Sequence, residues 1–278
     1  MSIQTPSNAK PLGPPEAFLE WVKPFLALSR SQILQDLWVL WVLGAPKHGY
    51  VLDVGAADGV HLSNSWLLER LGWDGLLVEP NPRFAASLAS TRGMPLDTRA
   101  IARHSGEALA FNVVTDYLEL SRLAEGMPVD THDRRGGRDA VETITVDTVT
   151  ATDLLKQHNC PDVIDYLSLD IEGAELLFLE TLNWSRIRFR CLTIEHNFTP
   201  NRVAIHDQLT GQGYVRVWEE LSWFDDWYVT ADLPDSTPGR AAFSPQRESY
   251  EWLSTLLKKR GNMDEANLIL DIKAKLFN

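Results

Sequence analysis

The residue pattern that most directly indicates chemistry is a turn of small residues, Gly55-Ala56-Ala57-Asp58-Gly59. It follows a short β-branched and apolar run at 50–54, which is typical of a strand buried on both faces. A strand that ends in such a turn before a helix presents backbone N–H groups and the helix dipole to whatever docks there. The turn is therefore a candidate ligand site, and the alternative is an ordinary strand-to-helix connection.

The spacing of small residues indicates which ligand the turn would hold. The dinucleotide fingerprint needs glycine at relative positions one, three and six, which here are Gly55, Ala57 and Val60, so two of the three are missing. Positions one, three and five are Gly55, Ala57 and Gly59, with one conservative change. That tighter turn is typical of class I methyltransferases, where it holds the amino-acid end of S-adenosylmethionine.

A second acidic position supports a nucleoside ligand. Glu79 ends the next predicted strand, 20 residues after Gly59, and is followed by Pro80-Asn81-Pro82. An acid at this place in a nucleotide-binding sheet accepts both ribose hydroxyls. The alternative is a surface acid that caps the following helix.

Two further acidic groups follow later strands. Asp170, Glu172 and Glu175 occur where an apolar run gives way to a helix, and Glu195-His196 ends the next strand. Ligands of open α/β sheets bind beyond the carboxyl ends of the strands, so these side chains are candidate catalytic groups. His196 is the candidate general base, because neutral imidazole accepts a proton near pH 7. Alternatively, Glu172 and Glu175 only stabilise a helix N-terminus, and His196 is a loop histidine bonded to backbone.

The elements that would position these residues alternate along the chain. The pattern predicts an α/β protein with a mostly parallel sheet and helices on both faces. The similarity of the turn to that of class I methyltransferases implies their Rossmann-like fold, with a seven-stranded sheet and an antiparallel terminal strand. Predicted strands cover 50–54, 75–78, 96–101, 107–114, 141–146, 163–169, 189–194, 214–218 and 223–229. Predicted helices cover 16–28, 31–43, 60–71, 82–90, 150–158, 174–182 and 201–209, with Ser31 as the cap of the second.

The domain organisation follows from the remaining segments. We predict an N-terminal tail and helix over 1–30, a methyltransferase domain over 31–230, a linker over 231–247 and a C-terminal helical hairpin over 248–278. The long segment 121–139 contains Arg134, Arg135 and Arg138, and we expect it to cover the cleft and contact the acceptor. The alternative is a solvated, disordered loop.

The motifs together resemble the FkbM family of S-adenosylmethionine-dependent methyltransferases. The resemblance spans about residues 31–230 and rests on Ser31-Gln32 with Gln35-Asp36, on the motifs at 53–59 and 78–82, and on Leu169-Asp170-Ile171-Glu172-Gly173-Ala174-Glu175. The sequence differs from the family at Ser168, where lysine is frequent, and in the hairpin after residue 245. The resemblance implies a cofactor site that contains Gln35, Asp53, Gly55, Ala57, Gly59, Glu79, Asn81 and Asp170.

The resemblance also implies O-methylation of a sugar, glycan or natural-product hydroxyl. The enzyme must align the hydroxyl oxygen with the methyl carbon and remove its proton. His196 or Asp170 is expected to be the base, with Glu172 and Glu195 orienting substrate hydroxyls. A divalent ion held by Asp170 and Glu195 is an alternative, since Mg²⁺ prefers oxygen ligands.

The amino-acid composition limits the classes of partner that we expect the protein to bind. The 278 residues carry 26 basic and 38 acidic side chains, a net charge of −12, which disfavours nucleic acid and anionic membranes as partners. Two cysteines and the absence of a signal-like N-terminus lead us to expect a soluble, cytoplasmic protein, with a homo-oligomer through the hairpin as an option.

Two other functions stay open: a nicotinamide-dependent sugar oxidoreductase, and a catalytically silent S-adenosylmethionine-binding module.

Overall fold

A seven-stranded sheet forms the centre of the chain in the computed structural model, which describes residues 12, 15–231 and 233. The strands lie in the order β10-β11-β9-β8-β1-β2-β3. They are β1 (Tyr50–Val54), β2 (Asp74–Val78), β3 (Leu96–Asp97), β8 (Val163–Leu169), β9 (Arg188–Glu195), β10 (Tyr214–Val217) and β11 (Asp225–Thr230). All neighbours pair in parallel except β11, which is antiparallel to both β9 and β10.

The helices cover both faces of this sheet. They are α1 (Pro15–Val22), α2 (Gln35–Leu43), α3 (Trp66–Arg70), α4 (Ala85–Thr91), α5 (Thr131–Arg134), α6 (Ala151–Gln157), α7 (Glu175–Glu180), α8 (Asn201–Gly211) and α9 (Glu219–Ser222). Alternate residues of β1 point to opposite faces, so Val51 joins the core that contains α2–α4 and Leu52 joins the core that contains α6–α8. Continuous apolar burial of this kind is expected of parallel strands.

The register of the central strands brings their carboxyl ends together. Val54 is opposite Val78 of β2 and Leu169 of β8. The backbone continues this alignment past the strands, because Gly55 N–H donates to the Val78 carbonyl and Asp170 N–H donates to the Val54 carbonyl, both at 2.9 Å. Glu79 and Asp170 therefore flank the turn at 55–59.

A second, four-stranded sheet stands beside the first in the order β4-β7-β5-β6. Its strands are β4 (Ala100–Ile101), β5 (Ala108–Val114), β6 (Arg122–Leu123) and β7 (Val141–Val149). The strand predicted over 96–101 is wrong as one element, since β3 belongs to the first sheet and β4 to the second. The carboxylate of Asp97 accepts from the backbone N–H of Arg99 at 2.9 Å, which turns the chain between them.

Three predicted helices are shorter than expected. The helix predicted over 60–71 begins only at Trp66, because Asp58 Oδ1 accepts the N–H groups of Val60 and His61 and Leu62 has φ +57°. The second helix begins at Gln35 after Leu34, which has φ +69°; Ser31 is thus not its N-cap residue. The first ends at Val22 and continues as a 3-10 turn containing Pro24.

The N-terminal helices pack on the sheet through aromatic side chains. Phe18 of α1 stacks on Trp218 at 5.4 Å between ring centroids, and Trp38 of α2 contacts Trp227 of β11 at 4.9 Å. None of the helices that the structure describes combines the length and apolarity needed to span a bilayer. Most of the predicted linker and all of the predicted C-terminal hairpin lie outside the described residues.

Candidate functional site

A cavity of about 540 Å³ opens at the carboxyl ends of β1, β2, β8 and β9. One wall is the turn after β1 with Glu79, another is formed by Ser168, Asp170 and Glu195, and the second sheet closes the space with apolar residues. A volume of this size is typical of a small-molecule or cofactor site. The predicted residues Asp53, Gly55, Ala57, Glu79, Asp170, Glu172 and Glu195 all line it.

The turn after β1 needs glycine at its first position. Gly55 has φ +96°, and a Cβ atom added there would overlap the carbonyl oxygen of Asp170. Gly59 has φ +80° and packs against Leu88 and Arg92, outside the cavity lining. Gly55 must therefore be glycine because the Asp170 carbonyl approaches it closely. Gly59 contributes to the conformation of the turn on the side away from the cavity.

Glu79 is held by the same turn. Its Oε2 accepts from the backbone N–H of Ala57 and its Oε1 from that of Asn81, each at 2.8 Å. Burial raises the pKa of the carboxyl to about 7, although these two hydrogen bonds oppose the rise. Each carboxylate oxygen keeps a further lone pair for donors in the cavity.

Asp53 lies beneath the cavity in a hydrogen-bonded network. Ser65 Oγ donates to its carboxylate, Arg92 donates to Ser65 Oγ at 2.8 Å, and Ser168 also donates to Asp53. Burial raises the pKa of Asp53, while the charge of Arg92 lowers it. Asp53 thus fixes the positions of residues around the cavity.

Buried carboxyl groups converge at the ends of β8 and β9. Oxygen atoms of Asp170, Glu175 and Glu195 lie within 4.8 Å of one another, and Asp170 is hydrogen-bonded to Glu195. Burial raises the pKa of Asp170, and burial together with the negative charge of Asp170 raises the pKa of Glu195 well above its usual value. A hydrogen bond between two carboxyl groups requires a proton on one of them, and burial favours that protonated form.

The segment 121–139 is folded onto this cluster. Arg138 pairs with Glu172, with Asp130 at 2.8 Å and with Asp133 at 3.1 Å. Asp130 and Asp133 form a reciprocal capping box at the start of α5. The charge of Arg138 is consequently neutralised by the protein, while His132 and the exposed Arg135 line the cavity.

Four predicted site residues do not line the cavity: Gly59, described above, and Gln35, Asn81 and His196. Gln35 donates to Asp225 Oδ2 at 2.9 Å, and Asn81 donates to the Leu118 carbonyl and to Ser121 Oγ. His196 Nδ1 accepts from the Phe198 N–H at 3.0 Å, and its Nε2 lies 3.8 Å from Asp226 Oδ1. The Nδ1 lone pair is occupied and burial lowers the pKa of His196 to about 4, so this placement does not support a role as base.

Sequence reasoning missed the apolar wall of the cavity. Phe111 of β5, Tyr117, Leu118, Leu120 and Leu123 line the cavity. The sequence at 107–114 predicted a strand, but it held no signal that this strand belonged to a second sheet facing the site.

The fold and the site together define a doubly wound α/β protein with a ligand cavity where the strand order reverses, between β1 and β8. The family model described as the methyltransferase FkbM domain matches residues 53–226. The chain therefore belongs to the FkbM methyltransferase family. No curated protein matches it.

Proposed function

We propose that the protein is an S-adenosylmethionine-dependent O-methyltransferase of class I fold. The observation that carries the proposal is the joint geometry of the turn and Glu79, whose carboxylate is fixed by backbone donors and still faces the cavity. The strand order supports it as well: in chain order the seven strands lie 3-2-1-4-5-7-6, a nucleotide-binding arrangement with the last strand inserted antiparallel.

The residues present fit this cofactor. Glu79 would accept the ribose hydroxyls, and the apolar residues beside it, Phe84 and Leu118, would pack against the adenine. The backbone of the turn after β1 would face the amino-acid end of the cofactor. Space for the ligand depends on Gly55, because a side chain there would push the end of β8 away.

The bound cofactor supplies an electrophilic methyl group, and the protein must supply alignment and a proton acceptor. We assign Asp170 as the base and Glu195 as the carboxyl that hydrogen-bonds to it, because both line the cavity and His196 does not. Asp170 would accept the proton of the acceptor hydroxyl as its oxygen takes the methyl group, and Glu195 would hold the Asp170 carboxylate in place. Glu172, fixed by Arg138, would orient the acceptor.

The class of acceptor is proposed from the polar side chains that line the cavity. Asp170, Glu172, Glu195 and His132 are polar groups that match a compound with several hydroxyls, as a sugar, glycan or glycosylated natural product would have. Asp170→Asn is expected to abolish transfer of labelled methyl groups to a panel of such compounds while S-adenosylhomocysteine still binds. His196→Ala should retain most of the turnover.

A divalent ion is the alternative source of hydroxyl activation. Asp170, Glu175 and Glu195 offer only oxygen ligands, which suit Mg²⁺, and the ion would lower the pKa of a bound hydroxyl. Turnover before and after exhaustive chelation separates the two versions. If turnover is unchanged, proton removal is assigned to Asp170 alone. If turnover is lost and Mg²⁺ restores it, activation of the hydroxyl is assigned to the ion.

Calorimetric titration of the full chain with S-adenosylhomocysteine and with NAD tests the proposal. Binding of the first and not the second is expected, since Val60 stands where the dinucleotide motif has its third glycine. Binding of NAD alone would favour the oxidoreductase. Binding of S-adenosylhomocysteine with no methyl transfer to any hydroxyl compound would favour the silent module.

A further inference from the structure

We propose that a segment outside the matched FkbM domain completes the cofactor site, and that Gln32 in it contacts the amino-acid end of the cofactor. The segment is the N-terminal strap, residues 29–34, which precedes α2 and lies upstream of the matched residues 53–226. The inference rests on the proposed function, because it concerns the same ligand. The family resemblance placed Gln35 and not Gln32 in the cofactor site, so Gln32 is an additional binding residue, and it lies before the matched domain.

The strap is fixed by a buried carboxylate. Asp36 is fully buried and accepts from Ser29 Oγ at 2.7 Å and from the Arg30 N–H at 3.1 Å, while its own N–H donates to Ser31 Oγ at 3.0 Å. Gln35 adds a bond from the Ile33 N–H to its Oε1 at 2.9 Å. These bonds hold a short segment without regular structure in one conformation.

The strap is also attached to the loop that follows the cofactor turn. Ser31 pairs with Leu62 in a parallel bridge, and the guanidinium of Arg30 lies 4.9 Å from the ring centroid of Trp66. The strap therefore lies against residues 61–64, which line the cavity.

Gln32 differs from the other polar side chains of the strap. Ser29, Arg30 and Ser31 are engaged by the protein, whereas the described residues offer no hydrogen-bond partner to the side chain of Gln32. Gln32 is exposed and lines the cavity. Its amide carries both donors and an acceptor, which suits a ligand that presents an ammonium and a carboxylate together.

The position of Gln32 distinguishes the amino-acid end from the adenosine. Glu79 lies on the β2 side of β1, where the apolar residues Phe84 and Leu118 are also found. The loop at 61–64 lies on the other side, since Asn64 Nδ2 donates to Ser168 Oγ of β8 at 3.1 Å. A ligand whose ribose is at Glu79 and which crosses the turn reaches Gln32 with its amino-acid end.

Two adenosine probes test the inference on the full chain by calorimetry. S-adenosylhomocysteine carries the amino-acid end, and 5′-methylthioadenosine lacks it. Gln32→Ala is expected to weaken binding of S-adenosylhomocysteine about tenfold, as expected for the loss of a hydrogen bond to a charged group, and to leave 5′-methylthioadenosine within about twofold. Gln157→Ala, an exposed glutamine on α6 outside the cavity lining, is the matched control and should change neither.

The outcomes separate this inference from the proposed function. If the wild-type chain binds S-adenosylhomocysteine and Gln32→Ala binds it equally well, the strap inference is overturned and the proposed function stands. An equal loss for both probes also overturns it, because Gln32 would then act on the adenosine or on the fold. If the wild-type chain binds neither probe, the proposed function fails and the inference fails with it.

Discussion

Glu79 is the side chain whose behaviour most directly reports on the cavity. Both of its oxygens accept backbone hydrogen bonds, and burial raises its pKa to about 7. Ribose hydroxyls donate hydrogen bonds, so a ribose at Glu79 would bind the ionised carboxylate in preference to the protonated one. Proton binding and ribose binding at Glu79 would therefore oppose each other.

The affinity for S-adenosylhomocysteine is accordingly expected to fall as the pH drops from 8 to 6. Glu79→Gln should bind about tenfold more weakly at pH 8 and should lose most of this pH dependence, because no carboxyl remains to titrate. Glu119→Gln, an exposed acid that also lines the cavity, is the control and should retain it. A Glu79→Gln variant with wild-type affinity at pH 8 would remove Glu79 from the ribose site.

For individual residues, the sequence predicts where along a strand a side chain lies but not the direction in which it points. Glu79, Asp170 and Glu195 could be placed at the cavity from the ends of their strands. The orientation of Gln35 could not, because its partner Asp225 is 190 residues away in the sequence. His196 likewise follows a strand end, yet its ring turns toward Asp226.

Among the elements, the turn after β1 sets the distance between β1 and β8. Gly55→Ala is expected to destabilise the fold and to abolish S-adenosylhomocysteine binding, because the new Cβ overlaps the Asp170 carbonyl. Gly106→Ala is the matched control: Gly106 has φ +81°, but no atom of the described residues lies within 4 Å of a Cβ built there.

The control separates backbone strain from overlap. Gly106→Ala should cost about 1 kcal/mol of unfolding free energy through its left-handed backbone alone. Denaturant titrations that give Gly55→Ala the same small cost, with binding retained, would show that the β1 turn tolerates a side chain.

The segment 121–139 makes a second prediction at this scale. Arg138→Ala leaves Glu172 buried without its paired cation and leaves Asp130 with Arg122 alone, at 3.7 Å, so a loss of about 3–5 kcal/mol in unfolding free energy is expected. Arg134→Ala, an exposed arginine of the same segment, should stay within about 0.5 kcal/mol. Urea denaturation measures the unfolding free energy of the two variants. Equal losses would argue against a stabilising role for the ion pairs of Arg138.

The central parallel strands could be predicted because their apolar runs are bounded by turns, and β1 and β8 have the expected limits. The second sheet could not, since the pairing of β5 with β6 and β7 depends on contacts that no local period encodes. The early part of the helix predicted over 60–71 is irregular for a similar reason, because the side chain of Asp58 binds the backbone that a helix would use.

For the whole molecule, buried acids predict how stability depends on pH. Burial raises the pKa of Glu175 to about 7 and that of Asp225 to about 8, in addition to Glu79. His196 opposes this effect, because burial lowers its pKa to about 4, but three carboxyl groups outweigh one imidazole. The folded chain therefore binds more protons than the unfolded chain between pH 5 and pH 8. Its free energy of unfolding must fall as the pH rises through this range.

Glu175→Gln keeps an oxygen for the backbone N–H groups of Ile171 and Gly173 but cannot ionise. Its unfolding free energy is expected to depend less on pH between 5 and 8, because one carboxyl group fewer takes up a proton on folding. Glu107→Gln, on an exposed acid, should leave the slope unchanged. A wild-type chain that becomes more stable from pH 5 to pH 8 would contradict the account of the buried acids.

The central claim is that an S-adenosylmethionine-type ligand occupies the cavity with its ribose on Glu79. A crystal structure of the full chain grown with S-adenosylhomocysteine tests it most directly. The account predicts ribose hydroxyls within hydrogen-bond distance of both Glu79 oxygens and the amino-acid end over the turn at 55–59. Ligand bound elsewhere, or side chains packed across the turn, would contradict it.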